Sequence, residues 1–154
     1  QRVTRLALLD TAAGGELPEQ TQRRLDFIAF AERGHFDRVT ETLLPLLIHS
    51  ARRGERSLTD TVKSMARNIG KDAFIRQQHA IMSRADSLGL LGSISCPTLV
   101  LCGRQDALTP LARHEEIAAG IKGARLEVIE DCGHLSTMEK PAEVNAALRS
   151  WLSA

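Results

Sequence analysis

Two side chains in this sequence are placed to handle protons: Asp106 in Gly103-Arg104-Gln105-Asp106 and His134 in Cys132-Gly133-His134. Each lies just past an apolar run that reads as a strand, where open α/β sheets build their sites. An imidazole titrates near neutral pH, so it can take a proton from a hydroxyl and return it to a leaving group. A buried carboxylate on its other ring nitrogen fixes the tautomer and stabilises the imidazolium that forms. The two residues are 28 apart, room for one strand-helix-strand step that brings both to the same sheet edge. Acyl transfer would also need a nucleophile, and no G-x-S-x-G turn occurs in the 154 residues. Gly92-Ser93-Ile94-Ser95 lacks the flanking glycines, so no serine here qualifies.

Other residues compete for these roles. Asp10 also ends an apolar run and is an alternative acid, although an Asx-type turn with Thr11 is the preferred reading. Asp106 taken alone would be a helix-capping aspartate, and Asp131 a turn residue. Gly133 is expected to allow a backbone conformation that aims His134 out of the strand end. His35, His49, His79 and His114 lie in or beside helical patterns and read as packing or surface histidines. Cys102 is expected to point into the sheet's packing, and Cys132 at most to line a pocket.

The elements that would carry these residues follow from periodicity. Val3 to Leu9 reads as a buried strand emptying into Asp10, Thr11 and Gly14-Gly15. Four helical stripes follow: one opened by Pro18 with Leu25, Ile28 and Ala29; one with Val39, Leu43, Leu46 and Leu47, kinked or ended by Pro45; one with Val62, Met65, Ala66 and Ile69, stopped by Gly70; and one with Phe74, Ile75, Gln78 and Met82. All four phenylalanines, Phe27, Phe30, Phe36 and Phe74, fall here, where apolar stripes can pack and roof a pocket at once. Strand character returns over Thr98 to Cys102. Thr109-Pro110 then predicts an N-cap and first turn for a helix that Gly120 closes. Leu126 to Ile129 is the next strand, and Pro141 opens a last helix with Val144, Ala147, Leu148, Trp151 and Leu152 on one face. Alternating strands and helices imply parallel pairing and right-handed crossovers.

Composition sets the class. At 43% hydrophobic residues the chain can bury a core, and 20 basic against 19 acidic residues, a formal charge of +1, supply no field for nucleic acid or anionic lipid. The cluster Arg52, Arg53 and Arg56 reads as a solvated loop. No run approaches a membrane span. Three cysteines, Cys96, Cys102 and Cys132, argue against a disulfide framework and favour a reducing, cytoplasmic setting. The first residue is Gln1, which leads us to expect a piece of a longer protein.

The combination of Ile94-Ser95-Cys96-Pro97-Thr98-Leu99-Val100-Leu101-Cys102-Gly103 to Asp106, Ala124 to His134, and Glu139-Lys140-Pro141 with the terminal helix resembles the carboxyl-terminal half of the α/β-hydrolase family, particularly small bacterial esterase- and lactonase-like members. The resemblance implies an α/β fold of about three parallel strands with flanking helices and an inserted helical cap. It divides the chain into a first strand and exit turn (1–16), a cap (17–93) and a strand-helix-strand-helix core portion (94–154). It further implies Asp106 as triad acid and His134 as base toward an upstream serine, acting on an ester or similar small acyl compound. No metal or organic cofactor is implied, since a general base and an oxyanion hole suffice for acyl transfer. The missing half of the sheet would come in cis or in trans, an oligomer is possible, and the chain alone would be inactive. The competing expectation is an inert truncated module kept for binding or assembly.

Overall fold

The computed structural model describes residues 2–153. Its centre is strand β2, Thr98–Gly103, every residue of which is buried. Side chains alternate across a strand, so Leu99 and Leu101 face one side and Val100 the other. The first pair packs with Cys132, Val144, Ala147 and Trp151; the second side packs with Leu91, Ile117 and Ile121. Burial on both faces explains why this segment is an unbroken apolar run.

β1 (Leu6–Leu9) and β3 (Arg125–Ile129) flank β2 in the order β1-β2-β3, both parallel to it, with Leu6 opposite Thr98 and Leu99 opposite Arg125. β1 is three residues shorter than the expected Val3–Leu9. The ladder opens where the Leu6 N–H meets the Pro97 carbonyl, and Val3, before it, is half exposed at 50%. β1 is half-buried, pairing with β2 along one edge only among the described residues.

Four helices stand between β1 and β2: α1 (Pro18–Phe30), α2 (Phe36–Leu47), α3 (Arg56–Ile69) and α4 (Lys71–Met82). The expected starts and stops are present. Pro18 is the first residue of α1, and Gly70 ends α3 at φ 79°, a left-handed angle that favours glycine. Pro45 does not end α2, which runs two residues further to Leu47 before the chain extends at Ile48. A wide turn over Ala31–His35, with Gly34 at φ 90°, joins α1 to α2. The expected stripes are only partly buried: Ile28 and Val62 are inside, while Leu25, Met65 and Ile69 are exposed. Ile48, Leu58 and Val62 form a separate core, and Leu135 and Met138 from beyond β3 pack against it.

The chain finishes with α5 (Leu111–Gly120) between β2 and β3, then a short α6 (Ser136–Glu139) that periodicity did not indicate, and α7 (Pro141–Leu152). α7 turns Val144, Ala147 and Trp151 onto the sheet and leaves Leu152 exposed. Among the described residues no helix is long and apolar enough to cross a membrane.

Candidate functional site

The loops after β2 and β3 meet at the carboxyl edge of the sheet, as the spacing of their motifs requires. Their backbones are laced together. The Gln105 N–H donates to the Cys132 carbonyl at 2.9 Å, and the Cys132 N–H returns to the Gln105 Oε1 at 3.1 Å. A Cβ on Gly103 would collide with the carbonyls of Cys132 and Gly133, so only glycine lets the two loops come this close.

This lacing sets Asp106 against His134, with Oδ2 to Nδ1 at 2.8 Å. Asp106 is 4% exposed. Its Oδ1 accepts the N–H groups of Leu108 and Thr109 at 2.8 Å each, and its Oδ2 also accepts the Thr109 hydroxyl at 2.8 Å. Burial alone would raise the carboxyl's pKa; the hydrogen bond and charge of His134, with the donors of Thr109, outweigh it and hold the group below its ordinary value. An ionised carboxylate only accepts, so the imidazole proton sits on Nδ1 and leaves Nε2 basic. The pair can therefore take a proton at Nε2 while Asp106 stabilises the imidazolium.

Several expectations change at this point. Thr109 does not cap α5, whose cap position is Pro110; its hydroxyl is spent on Asp106 and lies 3.3 Å from the His134 Nδ1. Gly133 does not occupy a left-handed backbone conformation. That angle falls on Asp131, at φ 49°, and Gly133 is needed instead for space, because a Cβ there would stand 2.6 Å from the His49 nitrogen and 2.8 Å from the Glu139 Oε1.

Asp10 makes no Asx turn and does not bond His134. From a left-handed position at φ 48°, its Oδ2 accepts the Ser136 hydroxyl at 2.6 Å and N–H at 3.2 Å, tying the end of β1 to the first residue of α6. Its Oδ1 is buried without a partner. Burial pushes this carboxyl up to about 6, against the pull of the Ser136 hydrogen bond and the charge of His134.

Four further residues, His114, Glu139, Arg52 and Arg53, hold the site in roles that the sequence reading did not assign to them. His114, inside α5, is fully buried, and its Nε2 accepts the Thr11 N–H at 2.9 Å; burial lowers its pKa, only partly opposed by Asp106 and the Pro110 carbonyl. Glu139, at 3% exposure, accepts the Gly133 N–H on Oε1 at 3.0 Å and the His49 N–H on Oε2 at 2.8 Å, clamping the histidine loop to the chain that follows α2. Arg52 donates to the Glu139 carbonyl, and Arg53 to the Pro45 and Ile48 carbonyls at the end of α2. Arg52 and Arg53 are thus fastenings and not a solvated loop, since a guanidinium supplies donors to carbonyls left open at a helix end.

Neither cysteine beside the site can serve as nucleophile. Cys102 and Cys132 are fully buried, and desolvation pushes both thiols up to about 12. Cys132 packs into the sheet's core and does not line the cleft. Among the described residues no group of three or more His, Cys, Asp or Glu side chains is arranged to hold a metal ion.

His134 opens onto a cleft of about 260 Å³ between the sheet edge and the inserted helices, walled by Thr11, Leu108 and Thr109 on one side and by Arg24, Ile81 and Arg84 on the other. Phe27, Phe30, Phe36 and Phe74 do not reach it, so its lining is more polar than the apolar stripes suggested.

Residues 3–141 match the profile of the alpha/beta hydrolase fold family. This chain belongs to the α/β-hydrolase family. Its sheet of three parallel strands, flanking helices and four intervening helices is an α/β-hydrolase arrangement. Among solved α/β hydrolases, the thermophilic esterase of Thermogutta terrifontis, in a malate-bound structure, superposes with a TM-score of 0.91 at 31% identity, over 99% of this chain and 56% of that one. The enol-lactonase of Burkholderia xenovorans LB400 shares the fold at a TM-score of 0.88 and 24% identity, over 99% and 57% of the two chains. In sequence, the 2-hydroxy-6-oxononadienedioate/2-hydroxy-6-oxononatrienedioate hydrolase of Klebsiella pneumoniae is 31% identical over 90 residues, 58% of this chain and 31% of that protein. This α/β-hydrolase chain spans less than two thirds of each of these relatives.

Proposed function

We propose that this chain is the carboxyl-terminal part of a serine-type hydrolase that acts on a small ester or similar acyl compound. His134 Nε2 takes the proton of a serine hydroxyl as the serine oxygen attacks the acyl carbon. It then passes that proton to the departing alcohol, and the cycle repeats with water to release the acid. Asp106 holds the Nδ1 tautomer throughout and stays ionised. The serine and the oxyanion donors come from sheet segments other than these 154 residues, supplied in cis or in trans, with 17–93 serving as the cap over the cleft. The observation that carries this reading is the 2.8 Å contact between a buried Asp106 and the His134 Nδ1, at the mouth of a cleft. The likeness to an esterase at 31% identity over nearly the whole chain supports the reaction class. Free thiols at Cys96, Cys102 and Cys132 suit a cytoplasmic setting.

A fluorophosphonate probe tests the proposal. The full-length protein should be labelled on one serine outside these residues, and His134→Ala should suppress the labelling. An unlabelled full-length protein would overturn it and favour an inert binding module, and a label on a serine of this chain would overturn the claim that the nucleophile comes from another segment.

A further inference from the structure

The charges around the cleft are unbalanced. Three arginines line it: Arg24 in α1, Arg84 in the loop just after α4, and Arg113 in the first turn of α5. Only two carboxyl groups, Asp10 and Glu16, face them there. Glu16 is committed to Arg24, holding its Nε at 2.7 Å and its Nη2 at 3.0 Å, while the Arg24 Nη1 reaches the Gln78 Oε1 at 2.8 Å. Asp10 is turned toward Ser136. Arg24 and the two acids are therefore spoken for.

The other two arginines are not. Arg84 donates once, to the Gly14 carbonyl at 3.1 Å, and has no carboxylate partner among the described residues. Arg113 makes a single 3.3 Å contact with Glu116, which is outside the cleft lining. Both keep open donors and line the same cleft as His134.

We propose that the cleft beside His134 selects substrates bearing a carboxylate, received by the guanidinium groups of Arg84 and Arg113. A guanidinium's fork of N–H donors matches a carboxylate in two parallel hydrogen bonds, which fixes orientation as well as position. Arg84 is steadied for this task by its surroundings: the Gly14 carbonyl takes one of its N–H groups, and the neighbouring Asp86 Oδ2 accepts the Gly15 N–H at 3.1 Å. One arginine belongs to the cap side and one to the core, so a bound carboxylate would bridge the two while the scissile carbonyl faces His134. A half-ester of a dicarboxylic acid carries such a carboxylate a short spacer away from its ester.

This inference rests on the hydrolase reading of the site, and the experiment separates the two. Hydrolysis of monomethyl glutarate and of methyl valerate, which replaces the carboxylate by a methyl group, is followed by pH-stat with the full-length protein. We expect kcat/KM to favour monomethyl glutarate by about tenfold or more, as two charge-assisted contacts would give. Arg84→Gln and Arg113→Gln should each bring that ratio down at least fivefold. Glutarate should inhibit the wild type competitively, and the Arg84→Gln variant at least fivefold more weakly. Equal rates on the two esters, or a ratio unmoved in both variants, would overturn the carboxylate subsite and leave the hydrolase standing. Failure to turn over either ester, together with no fluorophosphonate adduct, would overturn both.

Discussion

Glu139 is the residue whose replacement should say most about how the histidine loop is held. Its two carboxylate oxygens each accept one backbone N–H, from Gly133 at 3.0 Å and from His49 at 2.8 Å, in a site only 3% exposed. Glu139→Gln keeps the shape and removes one acceptor. Whichever way the amide is turned, one of the two backbone N–H groups then faces an NH2. One charge-assisted hydrogen bond is lost and one buried donor is left unpaired, together about 2–4 kcal/mol of stability. The Gly133 N–H adjoins His134, so the loop that presents the imidazole loosens as well. A misplacement of about 1 Å can cost roughly 100-fold in rate, so kcat should fall by about tenfold or more. Urea unfolding and steady-state hydrolysis of wild type, Glu139→Gln and Glu139→Ala in the full-length protein measure both effects. A Glu139→Gln protein within about 0.5 kcal/mol of wild type would refute the claim that this carboxylate clamps the His49 backbone to the histidine loop.

Two other expectations follow from buried titratable groups. Asp10 keeps its proton in the fold up to about pH 6, against an ordinary value of 3.8, so it stabilises the fold fully below pH 3.8 and that contribution is lost as pH rises through 6. Relative to wild type, Asp10→Asn should therefore gain stability between about pH 4.5 and 7; parallel unfolding curves across that range would contradict the burial argument. Cys102 and Cys132, pushed up to about 12, should resist iodoacetamide at neutral pH until the protein unfolds, while the partly exposed Cys96 reacts in the fold; mass spectrometry reads each site, and rapid alkylation of Cys132 would show its loop to be open.

The parts of this molecule that could be read from sequence are those governed by local pattern. The apolar run of β2, the glycine stop at Gly70 and the proline start at Pro141 each state their own structure through burial, left-handed angle or fixed φ. The meeting of Asp106 and His134 was legible because strand ends at that spacing share a sheet edge. What remained hidden is long-range and polar. Glu139 and Gly133 look like ordinary helix and turn residues until the His49 backbone arrives from 90 positions away. Thr109 has the form of an N-cap, yet its hydroxyl goes to a carboxylate three residues back, a choice set by where β2 leaves Asp106. Asp10 likewise reads as a turn former, and only the packing of α6 onto the end of β1 supplies Ser136 as its partner. The arginines of the cleft come from α1, from the loop after α4 and from α5, whose mutual placement no local pattern encodes.

The central claim is that His134, oriented by Asp106, is the base of an acyl-transfer reaction, and steady-state hydrolysis of a small ester by the full-length protein tests it most directly. His134→Ala should lower kcat by about 1,000-fold or more, and Asp106→Asn by a comparable factor through the wrong tautomer, with both variants still folded by circular dichroism. Turnover within about tenfold of wild type in a folded His134→Ala protein would contradict the account.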